Sequence, residues 1–503
     1  MEIKLIILFL YFLILFFIGW QSSKRIKDIK DYYVGGKKLG FWVVAFSTRA
    51  TGESAWLLLG LTGLGAVVGV SAFWVVLGEV LGVFGAWFFM AKKFKKLSDK
   101  YKSITITDYL VRRLGSKTNH LRYLSSIFLT FFIIIYVSAQ IDATGSAFEA
   151  FMNWNYFFGA IIGYIIVLAY VVFGGFIAVA WSDLIQGSLM FMALIILPLI
   201  GYATFDGDFM MMEGLKDIDD GLISIWGKGG FNSINLSTII GYLCIGLAFL
   251  GSPQIFVRFM SIKNETEINK GRWVAVIFTL ITDSCAVLIG MMARYFFTEN
   301  GLDVEQILGN NGQNSLIIMV ESLLPLLFIG FYMAVVLAAI MSTVDSLLVL
   351  ASSAFARDIY QNVFNPKINI TKLTFISKIT TFAMASVALI VAISVANLTP
   401  ERTIFWFVLV GFHGIAASFC PTIILSLFWR GLSETGAIAS MIIGFLGVLI
   451  FKFVIPNFEP YGIYFNNIAE LAPAMILGLL AGYIFSKLYP NPELEREFDE
   501  LYK

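Results

Sequence analysis

Seven ionisable side chains stand where the chain is otherwise apolar: Arg49, Glu53, Glu79, Asp142, Asp183, Asp283 and Asp345. A charge at the centre of a lipid bilayer costs roughly 2.5–3.5 kcal/mol on insertion scales, so such groups are either paired with one another or functional. The stretch AAIMSTVDSLLVLASS is the densest in oxygen. On a helix Ser342 and Ser346 are i, i+4 neighbours and Ser342 and Asp345 are i, i+3, so they share a face, with Thr343 beside them. Oxygen-only ligands suit a hard cation and not a soft transition metal. Hydroxyls bonding back to the carbonyl four residues earlier are the plainer alternative for the serines. That alternative leaves Asp345 unexplained. Asp183, within AVAWSDLIQG, offers a second inward carboxylate.

Two further stretches interrupt their own helices. In FSTRATGESAWLLLGLTGLG, Thr48, Arg49, Thr51, Gly52, Glu53 and Ser54 break an apolar run. Arg49 and Glu53 are four apart, so they either neutralise each other on one helix face or turn one member toward a solute. In GYLCIGLAFLGSPQIFVRFM, Gly251, Ser252 and Pro253 fall in mid-run, where proline removes a backbone donor. A kink in a structural helix is the alternative there. Unwound backbone at membrane depth survives only where it lines a cavity or is covered by protein. Interrupted helices at corresponding positions of two halves point to an inverted-repeat transporter with its site at the midplane.

The elements that must position these residues are membrane helices. Of 503 residues, 58% are hydrophobic and 14% charged, against about 25% charged in a soluble domain. A helix needs about 20 apolar residues to cross the hydrocarbon core. Thirteen stretches qualify: about 3–20, 39–66, 70–91, 121–147, 156–174, 180–203, 236–261, 272–297, 319–354, 374–395, 403–428, 434–455 and 469–488. The first is read as a retained span and not a signal peptide, because its basic cluster (Lys24, Arg25, Lys27, Lys30) follows the apolar run. Loop 21–38 holds six Lys/Arg and loop 91–120 holds nine, and Lys263, Lys270, Arg357, Lys367 and Arg430 continue that side. The opposite loops carry Asp206, Asp208, Glu213, Asp217, Asp219, Asp220, Glu299, Asp303 and Glu305. The positive-inside rule then places the N-terminus outside and the C-terminus in the cytoplasm.

Several classes are excluded by what is missing. Net charge of +1 gives no footprint for a nucleic-acid partner. Cys244, Cys285 and Cys420 each lie inside apolar runs and form no CxxC motif, and two histidines are too few for a histidine metal site. No nucleophile–base–orienter set suggests an enzyme, and no loop is long enough for a soluble domain.

At these motifs the chain resembles the sodium:solute symporter family, especially its sodium/proline symporter branch. The resemblance runs from about 31 to 455 through DYYVGGKKLGFWVVAFST, ESAWLLLGLTG, GSPQIFVRFMS, AAIMSTVDSLLVLASSAFARDIY and CPTIILSLFWRGLSETGAIASMIIG. It implies thirteen spans, with spans two to eleven forming two inverted five-helix repeats. It also implies a sodium site made by the backbone oxygens of Ala50, Glu53 and Ala339 and the hydroxyls of Ser342 and Thr343. A second cation site in some members matches Asp183 and Ser346, with Asp345 standing where serine is common. On the solute side Trp56 and Tyr136 match. Gly52 replaces the aspartate of proline carriers, and Ile245 and Phe249 replace their Trp and Tyr. Ser54, Gln140 and Pro253 complete the expected solute-binding set, and Asp142 adds polarity one turn beyond Tyr136.

The combined expectation is an all-α polytopic membrane protein with a five-plus-five inverted-repeat core. Residues 1–38 form the first helix and a cytoplasmic loop, 39–430 the transport core, and 431–503 two peripheral helices and a short tail. The function expected is sodium-coupled import of a small polar solute, first an amino acid such as proline, across the plasma membrane. Sodium is the coupling ion, no other cofactor is expected, and the partners are solute, sodium and lipid. The rivals are a monocarboxylate, sugar or vitamin as solute, a proton-coupled carrier, and a non-transporting sensor.

Overall fold

In hydrocarbon every backbone N–H and C=O must be satisfied within its own segment, so each long apolar run closes into a helix. The computed structural model describes residues 2–24, 26, 28–204, 210–298 and 304–502. The expected loop charges Arg25, Lys27, Asp206, Asp208, Glu299 and Asp303 lie outside the described residues. Among the described residues no strand forms, and one isolated bridge joins Leu39 to Ile262.

Among the described residues, eleven helical stretches are long and apolar enough to cross a membrane. One of them, Phe41–Lys100, contributes two crossings. It turns back at Gly69–Ala72, so that Phe41 and Trp87 both lie against Gly271. The shorter Tyr156–Ala169 adds another, giving the thirteen crossings expected. It is separated from Gly175–Thr204 by a bend at Gly175, whose φ of 54° is open to glycine, with the Tyr32 ring pressed against it.

Both predicted interruptions are real breaks. In the second span, Phe41–Ala55, Ser54 adopts φ 45° and ψ −162°, and the chain resumes as the wide-turned Trp56–Leu61 and then Thr62–Val68. In the seventh, Ser233–Cys244 tightens into Ile245–Phe249, loses helical geometry at Gly251 (φ 143°) and restarts at Pro253–Ser261. The two broken helices are tied together at one end. Leu39 N–H donates to Ser261 O at 3.2 Å, and Lys263 N–H donates to Leu39 O at 2.9 Å. Glu267, on the eighth span Glu265–Phe297, accepts the Phe41 N–H at 2.9 Å and so places an anion at the start of the second span.

The third span, Phe73–Gly85 continuing to Lys100, meets the seventh along a glycine seam. A Cβ on Gly82 would fall 1.9 Å from Gly246 O, and one on Gly246 would fall 1.8 Å from Gly78 O. Backbone meets backbone there. The ninth span, Leu326–Ser353, is buried throughout its central turns, as befits a helix enclosed by others. The twelfth and thirteenth, Glu434–Phe453 and Leu471–Leu488, pack on the eleventh, Ile404–Phe428: Gly444 abuts Ala417 and Gly478 abuts Pro421. A terminal helix, Pro492–Tyr502, folds back so that Glu497 accepts from Lys100 at 2.8 Å and from Tyr101 at 2.9 Å.

Candidate functional site

The second span's break brings its carbonyls against the ninth span. Ser342 Oγ donates to Ala50 O at 3.0 Å and to Ala339 O at 2.9 Å. Thr343 Oγ1 reaches Thr51 O at 3.2 Å and Ala339 O at 3.3 Å. Four of the five expected sodium ligands therefore converge, with the Thr51 carbonyl added. The fifth, Glu53, has its carbonyl accepting the Trp56 N–H while its carboxylate turns to Arg49. All these residues are buried. Neutral oxygens from two helices, with hydroxyl hydrogens able to rotate away, are a hard-cation ligand set.

One helical turn further along the ninth span, the expected second cation residues meet around an arginine. Arg258 Nη2 lies 2.9 Å from Asp183 Oδ2, 2.5 Å from Ser346 Oγ and 2.5 Å from Thr51 Oγ1. Its Nε donates to Ser47 Oγ at 2.8 Å, and Ser47 Oγ donates to Asp183 Oδ2 at 2.6 Å. Asp345 joins through Ser346 Oγ, 3.2 Å from Asp345 Oδ1. Arg258 is not among the seven ionisable residues named from the sequence, although a charge inside QIFVRFM is the same signal that marks them.

The solute-side residues gather around the two breaks. Gln140 Oε1 accepts the Ala55 N–H at 3.2 Å, and its Nε2 lies 3.4 Å from Ser54 Oγ. Trp56 Nε1 donates to Gly52 O at 3.0 Å. Phe412, absent from the sequence expectations, links the aromatic members: its ring centroid is 5.9 Å from that of Tyr136 and 5.5 Å from that of Phe249. Pro253 opens the half-helix after the seventh-span break. Beside it, both amide atoms of the buried Gln254 are without a hydrogen-bond partner among the described residues. Asp142 departs from expectation. It pairs with Arg402 and accepts from Tyr156 Oη at 2.5 Å, so its charge belongs to a rim contact and not to the Tyr136 pocket.

Arg49 and Glu53 close on each other, with Nη2 to Oε1 at 2.8 Å. The guanidinium also reaches Glu79 Oε2 at 3.5 Å and lies over the Phe249 ring at 4.9 Å.

Broken helices wrapped around buried oxygen ligands define a secondary transporter of the inverted-repeat class. The chain belongs to the sodium:solute symporter family, whose profile matches residues 32–444. It is 31% identical over 494 residues to the osmoregulated proline transporter OpuE of Bacillus subtilis strain 168, covering 98% of this chain and 96% of that one. It is 33% identical over 434 residues to the high-affinity proline transporter PutP of the same strain, covering 86% and 89%. Sodium/proline symporter 2 of Staphylococcus saprophyticus is 30% identical over 498 residues, covering 97% and 93%. Among solved structures, a Na+-coupled sialic acid symporter in a substrate-bound outward-open state superposes with a TM-score of 0.78 at 19% identity, covering 97% of this chain and 98% of that one. That likeness is one of fold.

Proposed function

We propose that this protein imports a small amino acid, with L-proline the first candidate, driven by sodium across the plasma membrane with the N-terminus outside and the C-terminus in the cytoplasm. The observation that carries the reading is the oxygen cluster joining the second span to the ninth. Sodium entering among Ala50, Thr51, Ala339, Ser342 and Thr343 ties the two helices and favours the conformer that accepts solute, with Glu53 O completing the ligands as the break tightens. Coupling follows because the ion binds that conformer better than its alternative; equal affinity would shift nothing. An inward membrane potential adds about 2.3 kcal/mol per charge per 100 mV.

Solute sits between Ser54, Trp56, Tyr136, Gln140, Phe249 and Pro253. The half-helix Pro253–Ser261 presents its N-terminus to the break, a position that suits a carboxylate, and the unpartnered Gln254 amide adds polar recognition. The proline carriers among the relatives support the choice of solute. At the second cation position, Asp183, Asp345 and Ser346 work with Arg258 as a built-in cation. Residues 39–430 act as the moving core, with 431–503 peripheral.

The test is uptake of radiolabelled L-proline into proteoliposomes with and without an inward sodium gradient, against a panel of unlabelled amino acids, monocarboxylates and sugars. Sodium-dependent uptake inhibited best by amino acids is expected. Uptake that follows a pH gradient without sodium, or competition only by a sugar or monocarboxylate, overturns the reading.

A further inference from the structure

A cavity of about 500 Å³ opens at the end of the bundle where the seventh span begins, the outer side in the proposed topology. None of the residues gathered around the two breaks lines it. Tyr242 of the seventh span and Trp406 of the eleventh face each other across it, and the end of the twelfth span adds Phe451 and Lys452. The segment before the thirteenth span closes it with Phe465 and Glu470. Its walls are tied in place. Asn467 Nδ2 donates to Ser237 Oγ at 3.1 Å, and Asn310 Nδ2 donates to Glu401 O at 2.7 Å.

Three charged residues line this cavity: Glu401, Lys452 and Glu470. Glu470, only 2% exposed, is already braced, with His413 Nδ1 lying 2.8 Å from its Oε1. Lys452 is less well served. Among the described residues its ammonium has no hydrogen-bond acceptor, the nearest carboxylate oxygen being Glu470 Oε2 at 3.9 Å. It lies 5.9 Å from the centre of the Trp406 ring. Glu401 is exposed and forms no ion pair among the described residues. A base and an acid thus face one cavity without neutralising each other. A simple anion there would meet two carboxylates, and a simple cation would meet Lys452. A ligand that carries both charges suits the walls better. Phe451 and Phe465, with ring centroids 5.4 Å apart, supply an apolar face beside them.

We propose that this cavity is a second amino-acid site, separate from the solute position between the breaks. The ligand's carboxylate bonds to Lys452 Nζ, its ammonium group turns to Glu401, and its side chain lies on Phe451 and Phe465. A charge-assisted bond to lysine is about twice as strong as a neutral one. The volume lies within the roughly 300–1,000 Å³ usual for small-molecule sites, and it leaves room for a side chain larger than that of proline. The class of ligand is therefore a zwitterionic amino acid with an apolar side chain.

The test is protection of an introduced cysteine in the full-length protein. Asn466→Cys, which lines the cavity, is labelled in intact cells with a membrane-impermeant maleimide, and labelling at that residue is read by peptide mass spectrometry. Thr238→Cys, also on the wall, serves if the first variant fails to fold. L-Proline and L-phenylalanine are the probes. At least one should slow labelling, and adding Lys452→Gln should raise the concentration needed at least about tenfold, the loss expected for one hydrogen bond to a charged group. Trp56→Ala, which alters the pocket between the breaks, should leave the protection in place. Protection by neither probe overturns the outer site. Protection that Trp56→Ala abolishes and Lys452→Gln leaves intact also overturns it, because the signal then comes from solute between the breaks. Proline uptake is scored separately in proteoliposomes, so the symport reading can fail while the protection result upholds this site.

Discussion

Two buried polar clusters sit one helical turn apart on the ninth span, and they are built in opposite ways. Around Ser342 and Thr343 the ligands are neutral dipoles, carbonyls and hydroxyls that hydrogen-bond one another. Around Ser346 a permanent charge, Arg258, is locked between Asp183, Ser47 and Thr51. Thr51 belongs to both: its carbonyl accepts from Thr343, and its hydroxyl meets Arg258 and Ser346. The difference teaches which position can exchange its cation. Hydroxyl hydrogens rotate away at little cost, so the first cluster suits the exchangeable sodium site proposed above. A buried guanidinium with its carboxylate cannot leave without stranding Asp183, so the second serves as a fixed strut.

Breaking the strut should give the largest effect. Asp183→Asn leaves Arg258 buried without its anion, which typically costs about 3–5 kcal/mol. A pronounced fall in melting temperature and loss of uptake are expected in thermal-shift and transport assays. A wild-type melting curve would show that the arginine has other satisfaction.

Removing the hydroxyls should act on sodium and not on folding. Each hydrogen bond to a charged group is worth about 1.5–3 kcal/mol. Ser342→Ala with Thr343→Ala should therefore weaken sodium activation of uptake at least tenfold, with the melting temperature of the sodium-free protein little changed. Equal sodium affinity in the double variant would move the sodium site elsewhere.

Gly52→Ala acts on the solute side of the same helix. Its Cβ would come within 2.9 Å of Phe249 Cε1, and overpacking of this kind costs about 1–3 kcal/mol. A raised KM for solute with unchanged sodium dependence is the expected split, read from uptake kinetics. Asp345→Ser should do least. With Arg258 in place the sodium Hill coefficient should stay near one, and a coefficient that falls from two in the wild type would mean that Arg258 vacates its position for a second ion.

Much of this architecture is legible in the chain because lipid writes simple rules. Spans announce themselves by length. The Ser342 face follows from helical spacing, and the breaks at Ser54 and Gly251–Pro253 fall among small, hydroxyl and proline residues that weaken or interrupt a helix. Partnership across helices leaves no such periodic trace. Asp183 meets an arginine 75 positions away, and Asp142 meets one 260 positions away. Nothing local distinguishes Asp142, which pairs at the rim, from Gln140 two residues earlier, which faces the break. Phe412 was equally hidden, one aromatic among 48 phenylalanines.

The glycine seam between the third and seventh spans limits how the protein can diversify. At Gly78, Gly82 and Gly246 even one added methyl group would collide with backbone, so that flank of the seventh span is closed to inherited variation. New solute preferences must arise on its opposite flank, around Phe249 and Phe412, where a ring can shrink or turn without prising two backbones apart. Lineages that change cargo should therefore keep the three glycines and alter the aromatic pair.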